Sequence, residues 1–118
     1  MSRYTELMER HDPAVRGRFM IEWRIASRLL TDALKLGYAV SVDNREDPET
    51  EPSTDRKAIL AAMWETDEEQ LNFWKDGKCI GGVFLVQGND GFDLISDYSV
   101  SLESLVSGAM KLATFYGA

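Results

Sequence analysis

The sequence predicts an α+β fold, in which an antiparallel β-meander sheet of three to four strands is packed by a long N-terminal helix, a short middle helix and a C-terminal helix. Between Glu69 and Ser99, two turn signals, Asp76-Gly77 and Gly88-Asn89-Asp90-Gly91, separate apolar-rich runs, which is typical of consecutive hairpins. Residues 14–36 and Leu102–Tyr116 instead repeat apolar residues at i, i+3, i+4 and i+7, which is typical of amphipathic helices.

Length and composition indicate one globular domain. A chain of 118 residues with 44% hydrophobic and 28% charged residues can bury one core, so we expect a single domain over residues 1–118. Its longest apolar runs, such as Ile80–Val86, are far shorter than the ~20 residues that span a bilayer. The N-terminal residues lack the apolar stretch of a signal peptide. Because Cys79 is the one cysteine, no internal disulfide forms, and we expect a cytoplasmic protein.

The first helix has clear start and stop signals. Residues 1–12 are polar, and we expect them to be flexible until Asp12-Pro13, an acidic N-cap followed by proline at the first helical position. Helix 14–36 follows, and Gly37 is expected to end it as the C′ residue. Its apolar face consists of Val15, Phe19, Trp23, Ala26, Leu30, Ala33 and Leu34.

The middle of the chain is predicted to contain a strand, an acidic loop and a short helix. Residues 38–43 alternate, which places Tyr38, Val40 and Val42 on one face of a strand. Residues 44–53 combine prolines and acids without any apolar anchor, so they are expected to form a solvated acidic loop. Ser53 or Thr54 is expected to cap a helix that runs from Asp55 to about Glu65.

The meander register follows from the turns. Asp76-Gly77 suits a two-residue type I′ turn, since both positions need φ above zero. The predicted pairs are Lys75 with Lys78, Phe73 with Ile80 and Leu71 with Gly82, then Gln87 with Phe92, Leu85 with Leu94 and Gly81 with Tyr98. One predicted face consists of Leu71, Phe73, Ile80, Phe84, Val86 and Ile95, and the other of Trp74, Val83, Leu85, Phe92, Leu94 and Tyr98. Both faces are therefore predicted to be apolar.

If both faces of the sheet are apolar, other parts of the protein or a partner must shield each face from water. The three helices can divide between the faces, or one face can meet a partner, and a homodimer stays open as an alternative. Trp74, Phe92 and Tyr98 are aromatics of the kind enriched in interfaces, although three aromatics on a strand face more often form part of a core. Ser99 or Ser101 is expected to cap the last helix.

The reactive side chains do not form a catalytic or metal-binding motif. His11 is the one histidine and lies in the polar N-terminal segment, and Cys79 in a strand is best explained as a packing residue. Clustered ligands for zinc are lacking, and Arg45 interrupts the spacing that a calcium loop around Asp43 and Asp47 would need. We therefore predict a protein that is not an enzyme and has no metal or cofactor.

Two further residue patterns are weak evidence for a functional site. The Gly88–Gly91 turn carries an acid where a phosphate-binding loop needs lysine. Asp93 and Asp97 would lie about 13 Å apart in an extended strand, too far for the usual catalytic carboxylate pair.

The charge is distributed unevenly along the chain. Of the net charge of −7, residues 1–36 contribute +2, from seven basic and five acidic residues. Residues 37–118 contribute −9, from six basic and fifteen acidic residues. The acidic part is expected to repel nucleic acid and attract basic protein surfaces. The arginines of the first helix are expected to form its solvated face.

One stretch carries a resemblance to known proteins. The segment STDRKAILAAMWETDEEQL, followed by KDGKCIGGVFLVQGNDGFDLISDYS, resembles small uncharacterised proteins encoded by phages and prophages of proteobacteria. The matching cues are the Asp-Gly turn, the GNDG turn and the ISDYS strand end, which mark a fold and assign no chemistry. The resemblance implies a phage or mobile-element setting, in which small acidic cytoplasmic proteins often inhibit host defence, as anti-CRISPR and anti-restriction proteins do.

The preferred hypothesis is a non-enzymatic acidic protein-binding module, a phage-encoded inhibitor whose carboxylates dock onto a basic surface of a larger host protein or nucleoprotein complex in place of phosphates. Under this hypothesis, the protein does not bind nucleic acid directly and does not bind a membrane. The candidate partner-binding residues are Asp43, Glu46, Asp47, Glu49, Glu51, Glu65, Asp67, Glu68, Glu69 and Trp74. Three alternatives stay open: an acidic surface that only confers solubility, an immunity protein that neutralises a basic toxin, and a small-ligand binder or enzyme with a carboxylate site.

Overall fold

The computed structural model describes the backbone of residues 13–117 and the side chains of residues 16–117. Over these residues it confirms the predicted α+β class, with three α-helices and a four-stranded antiparallel sheet in the order β1-β2-β3-β4. The elements are α1 (Pro13–Lys35), β1 (Ala39–Asp43), α2 (Arg56–Ala62), β2 (Glu68–Lys75), β3 (Lys78–Val86), β4 (Ile95–Tyr98), a 3₁₀ turn (Val100–Leu102) and α3 (Glu103–Tyr116). The predicted flexible segment 1–12, including the Asp12 cap and His11, lies outside the described residues.

Helix α1 ends as its sequence predicts. The amide of Gly37 donates to the carbonyl of Leu34 (3.1 Å), and the amide of Tyr38 donates to that of Ala33 (3.0 Å). These two hydrogen bonds form a Schellman motif, with Gly37 as the C′ residue. Along the helix, the buried side chains include most of the predicted apolar face and two residues from its flank. They are Phe19, Ala26, Leu30 and Ala33, together with Ile25 and Leu29.

Helix α2 is shorter than predicted, and its cap is a different residue. The Asp55 side chain accepts from the Lys57 amide at 3.0 Å and caps the helix, so the prediction of Ser53 or Thr54 is wrong. Ser53 Oγ instead accepts from the Asp55 amide (3.0 Å), in the turn that precedes the helix. The helix ends at Ala62 rather than near Glu65. The chain then turns through Trp64, whose φ of 74° is incompatible with a right-handed helix.

The first hairpin turn is confirmed, but the register beyond it is not. Asp76 and Gly77 have φ of 53° and 77°, as a type I′ turn requires, and Lys75 pairs with Lys78. A bulge then leaves Ile80 without a direct partner, so that Phe73 pairs with Gly81. The predicted pairs of Phe73 with Ile80 and Leu71 with Gly82 are therefore wrong by one residue.

The second hairpin is also corrected. Residues 87–94 form the whole connection between β3 and β4, so it is twice as long as the predicted four-residue loop. The pairing of β3 with β4 also contains a register shift. The observed pairs are Leu85 with Ile95, Phe84 with Asp97 and Val83 with Tyr98, and none of the three pairs predicted across this turn occurs.

These register shifts change which residues share a face, because a one-residue slip moves a strand's side chains to the opposite side. The buried face carries Val40, Val42, Leu71, Phe73, Val83 and Leu85, which join one core with the buried residues of all three helices. The other face carries Gln70, Asn72, Trp74, Gly82 and Phe84, which are half-buried. The prediction of two apolar faces is therefore wrong, and the helices pack against a single face.

The C-terminal helix begins after a 3₁₀ turn, and neither predicted serine caps it. Ser99 Oγ accepts from the Gly82 amide and Ser101 Oγ donates to the Ile80 carbonyl, both at 2.9 Å. The two serines thus attach the start of this segment to β3. Helix α3 packs mainly against α1. Among the described residues, no helix combines the length and apolarity needed to cross a membrane.

Candidate functional site

Three chain connections meet at one end of the sheet, and most of the predicted partner-binding acids lie on them. The register pairs Asp43, at the end of β1, with Gln70, and it pairs Glu68, at the start of β2, with Val86 at the end of β3. The connections that leave β1, enter β2 and leave β3 are therefore neighbours. We call this region the acidic end.

Direct contacts join the three connections. Thr66 Oγ1 lies 3.4 Å from the carbonyl of Asn44, which links the second connection to the first. The amide of Gln87 donates to the carbonyl of Asp67 at 2.8 Å, which links the third to the second. The exposed or half-exposed acids brought together in this way are Asp43, Glu46, Asp47, Glu65, Asp67, Glu68, Asp90 and Asp93. Asp90 and Asp93 were not predicted as partner-binding residues, since only the pairing of the strands places them here.

The first connection is shaped by its own polar side chains. Asp43 Oδ1 accepts from the Arg45 amide (2.9 Å), and Asn44 Oδ1 accepts from the amides of Glu46 (3.0 Å) and Asp47 (2.8 Å). Such bonds fix a turn without any apolar anchor. The Arg45 guanidinium lies 4.7 Å from the centre of the Phe84 ring, on the open face of the sheet. The one basic residue of this connection thus makes a cation–π contact, and it also lines an open hollow with Glu46, Asp67 and Glu68.

The rest of the acidic loop runs back along the edge of β1 and leaves the acidic end. Backbone hydrogen bonds join Thr50 to Val42 and Ser53 to Val40. Glu51 consequently lies near the other end of the sheet, where it lines a shallow hollow with Trp74 and Lys75. The sequence predicts a loop without an anchor, whereas the structure holds it by backbone pairing and by a polar network.

That polar network uses two of the predicted partner-binding side chains, Glu49 and Trp74. The buried Ser41 hydroxyl donates to the Glu49 carboxylate, and Asn72 Nδ2 donates to the same oxygen at 3.1 Å. The Trp74 indole N–H in turn donates to Ser41 Oγ at 2.9 Å. Glu49 and Trp74 therefore attach the loop to the open sheet face, which gives both of them a structural role.

Glu69 does not lie on the surface with its acidic neighbours. Its side chain is 0% exposed, and Oε1 accepts from the Trp64 amide (2.8 Å) and from Gln87 Nε2 (2.9 Å). Burial raises the pKa of the Glu69 carboxyl from 4.5 to about 7, although these two hydrogen bonds act in the opposite direction. The alternation of β2 could have identified this, since Glu69 shares a face with Leu71 and Phe73.

A second buried carboxyl, Glu22 of α1, was not identified from the sequence. It is 2% exposed, and Oε2 accepts from the Gly88 amide at 3.0 Å. Burial raises the pKa of Glu22 from 4.5 to about 7; the Gly88 hydrogen bond and the charge of Arg18 lower it, and Asp93 and Asp67 raise it. In the sequence, the position of Glu22 between Ile21 and Trp23 in an apolar run was the feature that could have indicated its burial.

The described residues hold no set of three or more His, Cys, Asp or Glu side chains arranged for a metal ion. Cys79 is exposed, next to the first hairpin turn, rather than packed in the core as predicted. Asp93 lies in the β3–β4 connection, whereas Asp97 pairs with Phe84 within the sheet. Asp97 lines an open hollow of about 210 Å³ with Gln70 and Ser99, and it is the one carboxylate among the described residues that line this hollow. The arrangement offers a charged surface and two buried acids.

Comparisons of the chain with protein-family models, with curated proteins and with solved structures find no match in any of the three.

Proposed function

We propose that this protein is a non-enzymatic binding module whose acidic end docks onto a basic surface of a larger protein. The observation that supports the proposal most strongly is the convergence of eight exposed or half-exposed carboxylates on three connected segments, at the acidic end defined above. Carboxylates grouped on one surface steer a basic partner toward it and can take positions that nucleic-acid phosphates would otherwise occupy.

The shape of this end supports binding as well as its charge. The hydrogen bonds of Asp43 and Asn44 fix the first connection before any partner arrives. Thr66 attaches the second connection to the first, and Gln87 attaches the third to the second. A surface that is already ordered loses less conformational entropy when it binds. Its fixed geometry also favours one partner over another, because a mobile acidic tail can adapt to any basic surface.

The biological setting that we propose follows from the resemblance of residues 53–71 and 75–99 to phage and prophage proteins. The partner is then a basic host protein or nucleoprotein complex of a defence system, inhibited in the cytoplasm in the manner of an anti-CRISPR protein.

The proposal is tested by affinity capture from a proteobacterial lysate at about 50 mM and about 500 mM NaCl, with the captured proteins identified by mass spectrometry. We expect a basic, nucleic-acid-binding protein to be captured at low salt and lost at high salt, and to be displaced by added DNA. The captured protein is then purified, and its affinity for this chain is measured directly.

Two variants with equal net charge separate surface docking from general electrostatic attraction. Glu46→Gln with Glu68→Gln removes two charges from the acidic end. Asp76→Asn with Glu103→Gln removes two charges from the hairpin turn before β3 and from the start of α3, which Ser101 attaches to β3 at Ile80. We expect the first variant to weaken binding at least tenfold and the second by no more than about twofold. Equal effects of both variants, salt-independent capture, or direct binding of this chain to DNA would contradict the proposal. Capture of a basic toxin would support docking and assign the immunity alternative.

A further inference from the structure

The segment that connects β3 to β4 is held onto the core by buried carboxylates at its first two residues. Glu22 of α1 accepts from the Gly88 amide, and Glu69 of β2 accepts from the Gln87 side chain. These two acids come from different elements and reach consecutive residues of the same segment. Arg18, one turn before Glu22, adds a bond from Nη1 to the Gly88 carbonyl at 3.2 Å.

The rest of the segment packs closely against α1. Gly91 is buried, and a Cβ atom there would meet the Arg18 carbonyl oxygen at 3.0 Å and the Ile21 Cβ at 3.2 Å. Leu94, the last residue before β4, is fully buried in the core. The hydrogen bonds at Gln87 and Gly88 and the packing of Gly91 and Leu94 therefore hold the segment against the two buried carboxyls.

The surroundings of the two carboxyls disfavour their ionised forms. Glu22 faces Asp93 from the segment itself and Asp67 from the α2–β2 turn, against the single favourable charge of Arg18 on α1. Glu69 faces Glu65 from the α2–β2 turn, and its buried Oε2 atom has no hydrogen-bond partner among the described residues. An ionised carboxylate in either place loses its hydration and meets like charges, and the loss of hydration outweighs the hydrogen bonds from the segment and the Trp64 amide, which favour the ionised form.

We propose that Glu22 and Glu69 form a proton-dependent latch, which keeps residues 87–93 closed on the core while the carboxyls are protonated and releases them when the carboxyls ionise. Each neutral carboxyl retains a carbonyl oxygen for its amide donors, so the closed segment keeps its hydrogen bonds. Ionisation favours the open position, where water solvates both carboxylates. Burial raises the pKa of both carboxyls to about 7, so we expect the latch to respond near neutral pH.

Release of the segment changes the surface as well as the core. Residues 87–93 carry Asp90 and Asp93, so opening moves two of the exposed acids of the acidic end. The latch itself does not depend on the proposed binding function, and its test uses the free protein.

Hydrogen exchange of the full chain measures the latch at the Gly88 amide, at about pH 5.5 and about pH 8.5, after correction for the intrinsic pH dependence of exchange. We expect the protection of Gly88 to fall by on the order of tenfold more than that of amides in β2 and β3, since opening exposes a group that ionises more readily in water. In Glu22→Gln, the side-chain oxygen still accepts from Gly88 and cannot ionise, so the additional loss should shrink to the part that Glu69 causes.

Glu68→Gln is the matched control, because it removes an exposed carboxylate next to Glu69 and should leave the pH response of Gly88 unchanged. Should Glu22→Gln fail to fold, Glu69→Gln serves as the second variant and should reduce the response. Parallel behaviour of Gly88 and the β2 and β3 amides in the unmodified protein would overturn the proposal, and so would an unchanged response in a folded Glu22→Gln or Glu69→Gln variant.

Discussion

The two connections on either side of β3 are held in opposite ways. The Asp76-Gly77 turn is exposed, and its shape follows from two residues that adopt positive φ. The connection over residues 87–94 is longer, and it is fixed by Glu22 and Glu69, which lie far from it in sequence and are buried beneath it. The first connection depends on local conformation, and the second depends on the rest of the fold.

This difference determines how each connection should respond to mutation and to pH. A local turn loses only its own conformational preference when it is altered, typically about 1 kcal/mol. A connection held by buried polar groups exposes or orphans those groups when it is altered, which costs more and depends on their protonation.

The largest effect is expected for Glu69→Ala, measured by chemical denaturation at about pH 5.5, where the native carboxyl is mostly neutral. The change leaves the Trp64 amide and the Gln87 side chain without their acceptor and opens a small cavity. We expect the free energy of unfolding to fall by about 3 kcal/mol. A loss below about 1 kcal/mol would show that Glu69 does not hold the second connection.

The next effect is the pH dependence of the unmodified protein. Both carboxyls have a pKa near 7 when folded and 4.5 as their ordinary value, so the folded state binds more protons than the unfolded state between these values. Their contribution to stability is therefore complete below about pH 4.5 and is lost as the pH rises through about 7. We expect the free energy of unfolding to fall by about 2 kcal/mol for each of the two carboxyls between about pH 5.5 and about pH 8.

Glu22→Gln sharpens this test. The variant should lose part of the pH dependence and should be more stable than the unmodified protein at about pH 8, because an amide avoids the cost of a buried charge. Equal pH dependence of the free energy of unfolding in the two proteins would show that the Glu22 carboxyl does not contribute to it.

A matched pair of glycine substitutions compares the connections directly. Gly77 and Gly91 both have positive φ, at 77° and 94°, so alanine is strained at either position. A Cβ at Gly77 has nothing within 4 Å, whereas at Gly91 it meets the backbone of α1. We expect thermal denaturation to show a loss of about 1 kcal/mol for Gly77→Ala and about 2 kcal/mol or more for Gly91→Ala. Similar losses would mean that the second connection is not packed against α1.

The smallest effect concerns the acidic loop, which is intermediate between the two connections. Ser41→Ala removes the hydroxyl that joins Glu49 and Trp74. We expect a loss of about 1 kcal/mol, since both partners lie close enough to water to be partly resolvated. Asn72→Ala, which removes only the outer bond to Glu49, is the milder comparison. An equal loss for both would indicate that Ser41 is not the centre of the network.

The same contrast explains how much of the structure the sequence could predict. Helix periodicity, the end of α1 at Gly37 and the Asp76-Gly77 turn are local signals, and all three were predicted correctly. The register of β3 was predicted wrongly. The sequence is apolar at nearly every position from 79 to 86, so its pattern does not indicate the bulge at Ile80. With the register one residue off, the sheet faces were assigned wrongly, and the polar open face was missed.

For the candidate site, the sequence identified acidic segments but not their arrangement. The loop and the turn before β2 were predicted as acidic candidates, and strand pairing then added Asp90 and Asp93 and removed Glu69 from the exposed set. Glu22 carries no local signal beyond its apolar neighbours, since its partner Gly88 is 66 residues away. Long-range polar contacts of this kind depend on tertiary structure.

The most direct test of the account is a carbon-detected NMR titration of the side-chain carboxyl groups of Glu22 and Glu69 in the full chain. We expect both to titrate near pH 7, together with a chemical-shift change at the Gly88 amide over the same range. Titration of both carboxyls near their ordinary value of 4.5, with no response at Gly88, would contradict it.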